Sequence, residues 1–390
     1  MRKILNLPTI VFIVIATAAI NISAQNALGQ TSTVPQLAAT NSAAVITTNS
    51  PSSPASQAVI YSLGSLPEAD LLVYINPQRI LNEAVPKLLP AKDVEGMRKG
   101  FEEAKKNSGI DPTKVEYIVL AVRFRKPTAD LNFQAPELMA VSGGDFSAES
   151  LLTLARMASQ GKLRDERYAD KTIGLMTIDP IVKESEKNPF LKSFSEVGLV
   201  ALNGNTIAAG SPSYLRAAVD AGAGQGRINT ETLNSLVRDT NVLVSIAGRP
   251  WHSFAKSFGM LGTDANAREP RCETNLGDFY AALTMDSTNF MLRGVSNADN
   301  PDTAKIIANL YSGILRYATS SVPDESVKSL LRGLSITAEG NEVHTRGDFS
   351  QQMVLDLIQQ KMKPKTMEPS APESAPVKPV TRRRRPRRRG

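Results

Sequence analysis

The sequence predicts an α+β fold built as a tandem duplication, in which each half is an antiparallel sheet with helices packed on one face. Two short apolar runs followed by a helical pattern form a unit that occurs four times along the chain. The tetrapeptide Gly-Asp-Phe-Ser stands at 144–147 and again at 347–350, each time between such a pair of runs and a helical pattern. Each half also opens on an apolar run that precedes a proline suited to a first helical turn. Strands with helices segregated to one face are typical of α+β domains.

The first half is predicted to cover residues 66–222. It opens on the strand-like run 71–75, after which Pro77 favours a helix start. An additional apolar run at 171–179 and a helix-like segment at 189–194 have no clear counterpart later in the chain. The predicted hairpins of this half join the run 115–124 to 137–142 and the run 198–202 to 206–209.

The second half is predicted to cover residues 236–360, after a linker at 223–235. Its opening run at 242–246 leads to Pro250. The glycine-rich stretch 221–226 is interpreted as a helix end, because a nucleotide-binding loop needs a strand before its glycines and a helix after them. The predicted hairpins here join 279–285 to 289–295 and 334–338 to 342–346.

The stretch Leu-Pro-Glu-Ala-Asp at 66–70 precedes the first strand of the body. In an exported chain of duplicated α/β units, this opening resembles a family of exported bacterial proteins that start on Leu-Pro-x-Ala-Asp. The family has no assigned activity. The resemblance therefore implies an exported location and a repeat architecture, and it implies no functional residue.

The N-terminus has the layout of a secretory signal peptide over residues 1–24. Arg2 and Lys3 precede an apolar stretch at 4–22, and the small residues Ser23 and Ala24 follow it. The sequence therefore predicts export to the periplasm, the cell envelope or the medium. An uncleaved membrane anchor is the alternative, because the apolar stretch is just long enough to cross a bilayer. Residues 25–65 are predicted to form a disordered leader, since they combine small and polar side chains with proline.

Positive charge is concentrated in the last residues of the chain. The net charge is +7, from 45 basic and 38 acidic residues, and without seven terminal arginines 38 basic residues face 38 acidic ones. Residues 361–390 are predicted to be a disordered tail whose proline-rich first part spaces these arginines from the body. The predicted anionic-surface ligands are Arg382, Arg383, Arg384, Arg385, Arg387, Arg388 and Arg389.

The inventory of catalytic residue types is small. Cys272 is the single cysteine, so an intramolecular disulfide is excluded. The two histidines, His252 and His344, have no metal-ligand spacing, and no Gly-x-Ser-x-Gly stretch marks a nucleophile. We therefore expect no metal, no cofactor and no assigned catalytic residue. Trp251 and His252 are the candidate ligand contacts, because a tryptophan before a predicted helix can stack on a sugar or a peptide.

These observations predict an exported, non-catalytic binding or structural protein of the cell envelope. Its arginines would hold it to anionic lipid, lipopolysaccharide or a wall polymer, and its body would bind a protein or a glycan. Nucleic acid becomes the expected partner only if the chain is not exported. A periplasmic hydrolase with a site between the two repeats is the alternative.

Overall fold

A computed structural model of the chain describes residues 63–109, 111–124, 136–178, 195–239, 241–249, 278–322 and 324–362. In these ranges the protein has an α+β fold with one large antiparallel sheet and several helices, so the predicted class is confirmed. Within the same ranges, no helix combines the length and the apolar character that crossing a bilayer requires.

The strands of the described ranges form one 12-stranded sheet. Across the sheet they follow the order β11-β12-β10-β9-β8-β1-β2-β3-β7-β6-β5-β4, so β11 and β4 form its two edges. In chain order the strands are β1 (Leu71–Ile75), β2 (Val115–Arg123), β3 (Glu137–Gly144), β4 (Leu163–Tyr168), β5 (Lys171–Thr177), β6 (Glu196–Asn203), β7 (Thr206–Gly210), β8 (Val242–Gly248), β9 (Phe279–Met285), β10 (Asn289–Asn297), β11 (Leu334–Glu339) and β12 (Glu342–Ser350).

The helices begin where a side chain can accept a backbone N–H or where proline fits the first turn. Asn76, Ser147, Asn229, Asn300 and Asp324 accept from backbone amides at such starts. In chain order the helices are α1 (Pro77–Arg79), α2 (Val85–Leu88), α3 (Ala91–Ser108), α4 (Ala148–Ala158), α5 (Pro212–Gly222), α6 (Thr230–Leu236), α7 (Pro301–Ser321), α8 (Glu325–Arg332) and α9 (Gln351–Met362). A π-helical turn (Ile80–Ala84) joins α1 to α2.

Strands β1 and β8 join the two predicted halves into a single sheet. They pair antiparallel over five residues, with Val73 opposite Ile246 at the centre of the register. Strands β2 to β7 then extend the sheet beyond β1, and β9 to β12 extend it beyond β8. The expectation that each half has a sheet of its own is therefore corrected: both halves contribute strands to one continuous sheet.

Helices cover both faces of this sheet, whereas the sequence analysis expected them on one face. On one face, Leu72 of β1 belongs to a buried core that includes Tyr214 of α5 and Leu233 of α6. On the other face, Val73 belongs to a second core that includes Leu88 of α2 and side chains of α9. The reason is visible in β8, where all seven residues are buried. A central strand that is buried on both faces needs cover on both sides.

The four predicted hairpins are present as antiparallel strand pairs. They are β2 with β3, β6 with β7, β9 with β10 and β11 with β12. The additional run at 171–179 forms β5, which pairs with β6 on one side and with β4 on the other. Strand β4 was not predicted, because it has the charged sequence Leu-Arg-Asp-Glu-Arg-Tyr and lies at the sheet edge.

Two predicted boundaries differ from the structure. The ordered body includes Leu63, which is fully buried against the core of α5 and α6, although it was assigned to the leader. The predicted linker 223–235 contains most of α6, whose Leu233 and Leu236 are buried. Both differences come from short apolar segments next to polar or glycine-rich residues. Burial of their leucine side chains in the core holds both segments against the body.

Candidate functional site

Most of the predicted site residues lie outside the described ranges. Trp251, His252, Cys272 and the seven terminal arginines belong to this group, as do the predicted signal peptide and the helix-like segment at 189–194. Their predicted roles stay predictions. Of the residues considered for chemistry in the sequence, His344 is described, in β12.

The boundary between the predicted halves is a hydrogen-bonded strand pair in the described residues. β1 and β8 exchange backbone hydrogen bonds along their shared length, and their inward side chains enter cores on both faces. The hydroxyl of Ser245 in β8 is fully buried and donates to the carbonyl oxygen of Leu236, 2.6 Å away. This contact ties the end of α6 to the sheet centre and occupies the one polar side chain of β8.

His344 lies on a charged surface of the outer sheet. Its Nε2 is 3.0 Å from Glu342 Oε2 and 3.7 Å from Glu339 Oε2. Thr337 lies opposite His344 on β11, but its hydroxyl contacts Glu339 at 3.3 Å. A general base needs a nucleophile within hydrogen-bond reach, and Thr337 is held by a carboxylate instead. In the described ranges, no group of three or more His, Cys, Asp or Glu side chains is placed to hold a metal ion.

The same strands carry further ion pairs around His344. Arg346 Nη2 lies 2.9 Å from Glu339 Oε1, and Arg293 Nη2 lies 2.6 Å from Asp348 Oδ1. All of these side chains are at least about half exposed except that of His344, which is 19% exposed. Exposed pairs contribute little to stability. The cluster is therefore a solvated row of cross-strand pairs.

The first Gly-Asp-Phe-Ser copy forms a turn that docks α4 against the β6–β7 hairpin. The N–H of Gly144 donates to Asn205 O at 3.3 Å, and the N–H of Ala148 donates to Gly204 O at 3.0 Å. A Cβ on Gly144 would lie 2.2 Å from Lys114 O, so a glycine is required there. An open polar depression of about 560 Å³ lies beside this turn. Backbone hydrogen bonds hold the residues of the turn in place. We therefore assign the turn a structural role.

The second copy has the same helix cap and a different backbone path. The hydroxyls of Ser147 and Ser350 each accept from the backbone N–H three residues later, both at 3.2 Å. Residues 347–350 nevertheless remain paired with β10 as part of β12, whereas β3 ends at Gly144. The tetrapeptide therefore predicts a helix start in both places and a turn in only one.

A partly buried ion pair lies where β2 ends and β3 begins. Glu137 is 4% exposed, and its Oε2 accepts from Arg123 Nε at 2.7 Å, while its other oxygen accepts from the hydroxyl of Ser213. The Arg123 guanidinium also stacks on the Tyr214 ring, 4.4 Å from its centre. Burial raises the pKa of the Tyr214 phenol above its usual value. Both Glu137 oxygens are occupied, so this cluster fixes α5 on the sheet.

This ion pair was not predicted, although the sequence contains a signal for it. Arg123 is the last residue of β2 and Glu137 the first of β3, and the two are opposite each other in the hairpin register. An opposite-charge pair at directly facing positions stabilises a hairpin.

An open cleft lies between α7 and α8. Its volume is about 410 Å³. The floor is made by three leucines, one from α7, one from α8 and one from the start of β11, namely Leu315, Leu331 and Leu334. Small-molecule sites are concave, mostly apolar and hold a few polar groups. This cleft has that composition.

The remaining lining of the cleft is polar and strongly basic. Arg316 of α7 and Lys328 and Arg332 of α8 contribute three cations. The hydroxyls of Thr319 and Ser320 also line it, and each donates to a carbonyl oxygen of α7 at 2.7 Å. The hydroxyl hydrogens are therefore engaged within the helix, and the cations are the groups available to an anion. Sequence reasoning did not identify this cleft, although Lys328 and Arg332 stand at helical i, i+4 spacing beside Leu331.

The stretch that carried the sequence resemblance has a packing role. Leu66 is buried, its carbonyl oxygen accepts from Ile228 N at 2.9 Å, and the neighbouring Pro67 forms a β-bridge with Arg227. The glycine-rich stretch before Arg227 is a helix end, as predicted, since α5 ends at Gly222. The stretch 66–70 therefore anchors the start of the body against the segment that follows α5.

Comparisons with known proteins assign no function to the chain. No protein-family model matches it, and no curated protein matches it, so the resemblance based on residues 66–70 receives no support from a family match. Three solved structures, crystal forms I, III and IV of TP0453, are similar to 76% of this chain. They are 10% to 12% identical to it, are covered over 95% to 97% of their own length, and have TM-scores of 0.37 to 0.39. At these values the likeness is weak and implies no shared function.

Proposed function

We propose that this chain is an exported, non-catalytic binding or structural protein of the cell envelope, which its arginine-rich tail tethers to anionic surfaces. The separation of charge along the sequence carries the proposal. Seven of the last nine residues are arginine, and the rest of the chain has 38 basic and 38 acidic residues. A net attraction to polyanions therefore belongs to the tail, because the remainder of the chain has no excess charge.

The root of the tail supports a tethering role. Helix α9 ends at Met362, and Leu357 of this helix is 3% exposed. Met353 and Ile358 pack against the core shared with β1 and β8. Nineteen residues separate Met362 from Arg382, a stretch that can span at most about 70 Å. The arginines can thus reach a surface while the body stays some distance from it.

The expected partners are anionic lipid headgroups, lipopolysaccharide phosphates or acidic wall polymers. Each basic residue near an anionic membrane contributes about 1 kcal/mol of attraction, which salt screens over about a nanometre. The arginines of the tail would recognise negative charge alone, so they would bind polyanions in general and not one particular polyanion. If the chain stays in the cytosol, the same physics makes nucleic acid the partner.

The body is proposed to be a tandem duplication, as the sequence indicated. The strand order supports this: from the central pair outwards, one side runs β1-β2-β3-β7-β6 and the other runs β8-β9-β10-β12-β11. Corresponding strands then occupy corresponding places about the β1–β8 contact. Strands β5 and β4 have no counterpart on the other side in the described ranges and extend the first half.

Co-sedimentation with vesicles tests the tether. The chain without its predicted signal peptide, residues 25–390, should bind phosphatidylglycerol vesicles at low salt and dissociate from them at high salt. It should not bind phosphatidylcholine vesicles. Replacing the seven terminal arginines with glutamine should abolish binding. The matched control removes seven exposed cations from the body instead: Arg98, Lys99, Lys105, Lys114, Arg164, Lys305 and Arg346, each changed to glutamine.

Both variants lose the same net charge, so only the position of the charge differs between them. We expect the control to retain most of its vesicle binding. Equal loss in the two variants, or binding by the tail variant that salt does not weaken, would contradict the tether.

A further inference from the structure

We propose that the cleft between α7 and α8 binds an organic anion that carries a short apolar chain. The inference does not rest on the tail: it starts from the described cavity, its apolar floor and its three cations. An apolar floor beside cationic side chains complements a molecule that has an anionic head and a hydrocarbon part. A wholly polar anion would leave the floor unused, and a neutral hydrocarbon would leave the cations without a partner.

The floor is continuous with the core of the protein. Leu331 is 7% exposed, and Leu334 packs against the core that includes Phe349. Side chains held in this way keep their positions when a ligand arrives, so binding does not have to order them first. An apolar chain laid on this floor gains the burial of its own surface and of the exposed parts of the leucines.

The charge balance of the cleft favours an anion. Lys328 Nζ lies 2.5 Å from Glu325 Oε1, and Arg332 Nη1 lies 3.9 Å from Glu325 Oε2. One carboxylate thus serves two cations, and Arg316 has no ion pair with a carboxylate in the described ranges. The ion pairs of the described residues thus supply one carboxylate for the three cations that line the cleft. Guanidinium groups bind carboxylate and phosphate through paired hydrogen bonds.

Helix-end stabilisation explains only part of this arrangement. Arg332 lies in the last turn of α8, where a cation offsets the partial negative charge of the helix end. Arg316 lies one turn before the end of α7, whose last turn has no basic residue. Neither an ion pair nor a helix end accounts for the position of Arg316 over the cleft. An anionic ligand in the cleft would give this exposed side chain a charged partner.

The cavity sets the size of the ligand. A volume of about 410 Å³ is near the lower end of the range for small-molecule sites. It accommodates a head group and a chain of several carbons. Octyl phosphate is a suitable probe, and butyl phosphate, inorganic phosphate and octanol separate the contributions of chain and charge.

The binding experiment uses the full-length chain with its seven terminal arginines changed to glutamine. This variant lacks the arginines of the tail, which would otherwise also bind the phosphate probes. The result therefore tests the cleft independently of the proposed tether. Calorimetric titration should show saturable binding of octyl phosphate. Butyl phosphate should bind at least about tenfold more weakly, because each buried methylene strengthens binding several-fold. Inorganic phosphate, which lacks the chain, should bind more weakly than butyl phosphate. Octanol, which lacks the charge, should bind more weakly than octyl phosphate.

The cleft variant combines Arg316→Gln with Arg332→Gln, and its matched control combines Arg98→Gln with Arg164→Gln. The cleft variant should weaken octyl phosphate binding at least about tenfold, because it removes two charged hydrogen-bond donors. The control changes two exposed arginines that do not line the cleft and should leave the affinity within about twofold. Thermal unfolding of each variant reports whether the fold is retained.

The proposal is overturned if the two double variants bind octyl phosphate equally well. It is also overturned if the cleft variant lowers the unfolding temperature and leaves the affinity unchanged, since the cations would then act only on stability. Should the cleft double variant fail to fold, Arg316→Gln alone decides, because that exposed side chain has no ion pair in the described ranges to lose. Unchanged affinity in this single variant would contradict the proposal.

Discussion

Single residues show how tightly the turn before α4 is built. Gly144 is the last residue of β3, and its missing side chain lets the backbone at the start of β2 approach it, from Lys114 to Glu116. Its φ angle is not in the left-handed region, so the requirement is one of space. Gly96 provides the contrast, because it stands in α3 with nothing within 4 Å of an added Cβ.

The two glycines therefore predict opposite effects of the same substitution. Gly144→Ala should lower the free energy of unfolding by about 1–3 kcal/mol, since backbone atoms must move to admit the methyl group. Gly96→Ala should raise it by about 0.5–1 kcal/mol, because alanine loses less backbone entropy in a helix. Urea denaturation of both variants measures the difference. Equal effects of the two substitutions would contradict the close packing at Gly144.

At the scale of elements, helix α6 is held to the sheet by its apolar side chains. Leu236 is fully buried at the end of this helix, and its carbonyl oxygen accepts the hydrogen bond of Ser245 in β8. The helix has only seven residues and lies in a segment predicted to be a linker. Tertiary contacts must therefore supply most of its stability, because isolated helices of this length do not persist in water.

Truncation of Leu236 should be costly for this reason. Leu236→Ala should lower the free energy of unfolding by about 2–5 kcal/mol, through lost burial and a residual cavity. Met157→Ala on α4 is the control, since Met157 is 65% exposed and its truncation should cost less than about 0.5 kcal/mol. A small effect of Leu236→Ala would mean that α6 is not part of the cooperative structure.

Local signals in the sequence predicted the hairpins and the helices that follow them, α4, α5, α7 and α9, together with α1. The starts of α2, α3, α6 and α8 were not predicted. Apolar runs separated by turn residues found all four predicted strand pairs, and Ser147 and Ser350 cap helices as expected. The pairing of β1 with β8 could not be found in this way, because it joins strands far apart in the chain. The apolar sequence of β8 did contain a hint, since burial at every position indicates a central strand.

The candidate cleft was harder to predict than the fold. It needs α7 and α8 side by side with β11, and the register of one helix on another is a tertiary property. Arg316 and Arg332 look like ordinary solvated charges in the sequence. Only the packing of α7 against α8 shows that both side chains line the same cleft.

At the scale of the whole molecule, the two predicted halves share a core. The core on the α5 face contains Tyr214 from the first half and Tyr280 from the second, and Val242 of β8 lies within it. Tyr280 is further held by a hydrogen bond to Asp239 and by Arg238 over its ring, 4.0 Å from the centre. Hydrogen bonds between β1 and β8 cross the same boundary. A shared core implies shared stability.

We therefore expect the body to unfold in one cooperative transition. Urea unfolding followed by far-ultraviolet circular dichroism and by tyrosine absorbance should give coincident curves. A fragment of residues 63–222 should lack native stability, because β1 keeps β2 but loses β8, and Tyr214 loses the side chains that the second half contributes to its core. Two separate transitions, or a fragment as stable as the full chain, would contradict this expectation.

Strand β4 is one of the two edge strands of the sheet, so a second copy of the protein could pair with it. An unpaired strand edge is a template onto which a second molecule can add a strand. In an antiparallel self-pairing that uses all six residues of β4, Arg164 faces Arg167 and Asp165 faces Glu166. Like charges directly opposite each other are destabilising. The charge order of this edge thus opposes pairing of two copies through β4, which would suit the surface-bound protein that we propose.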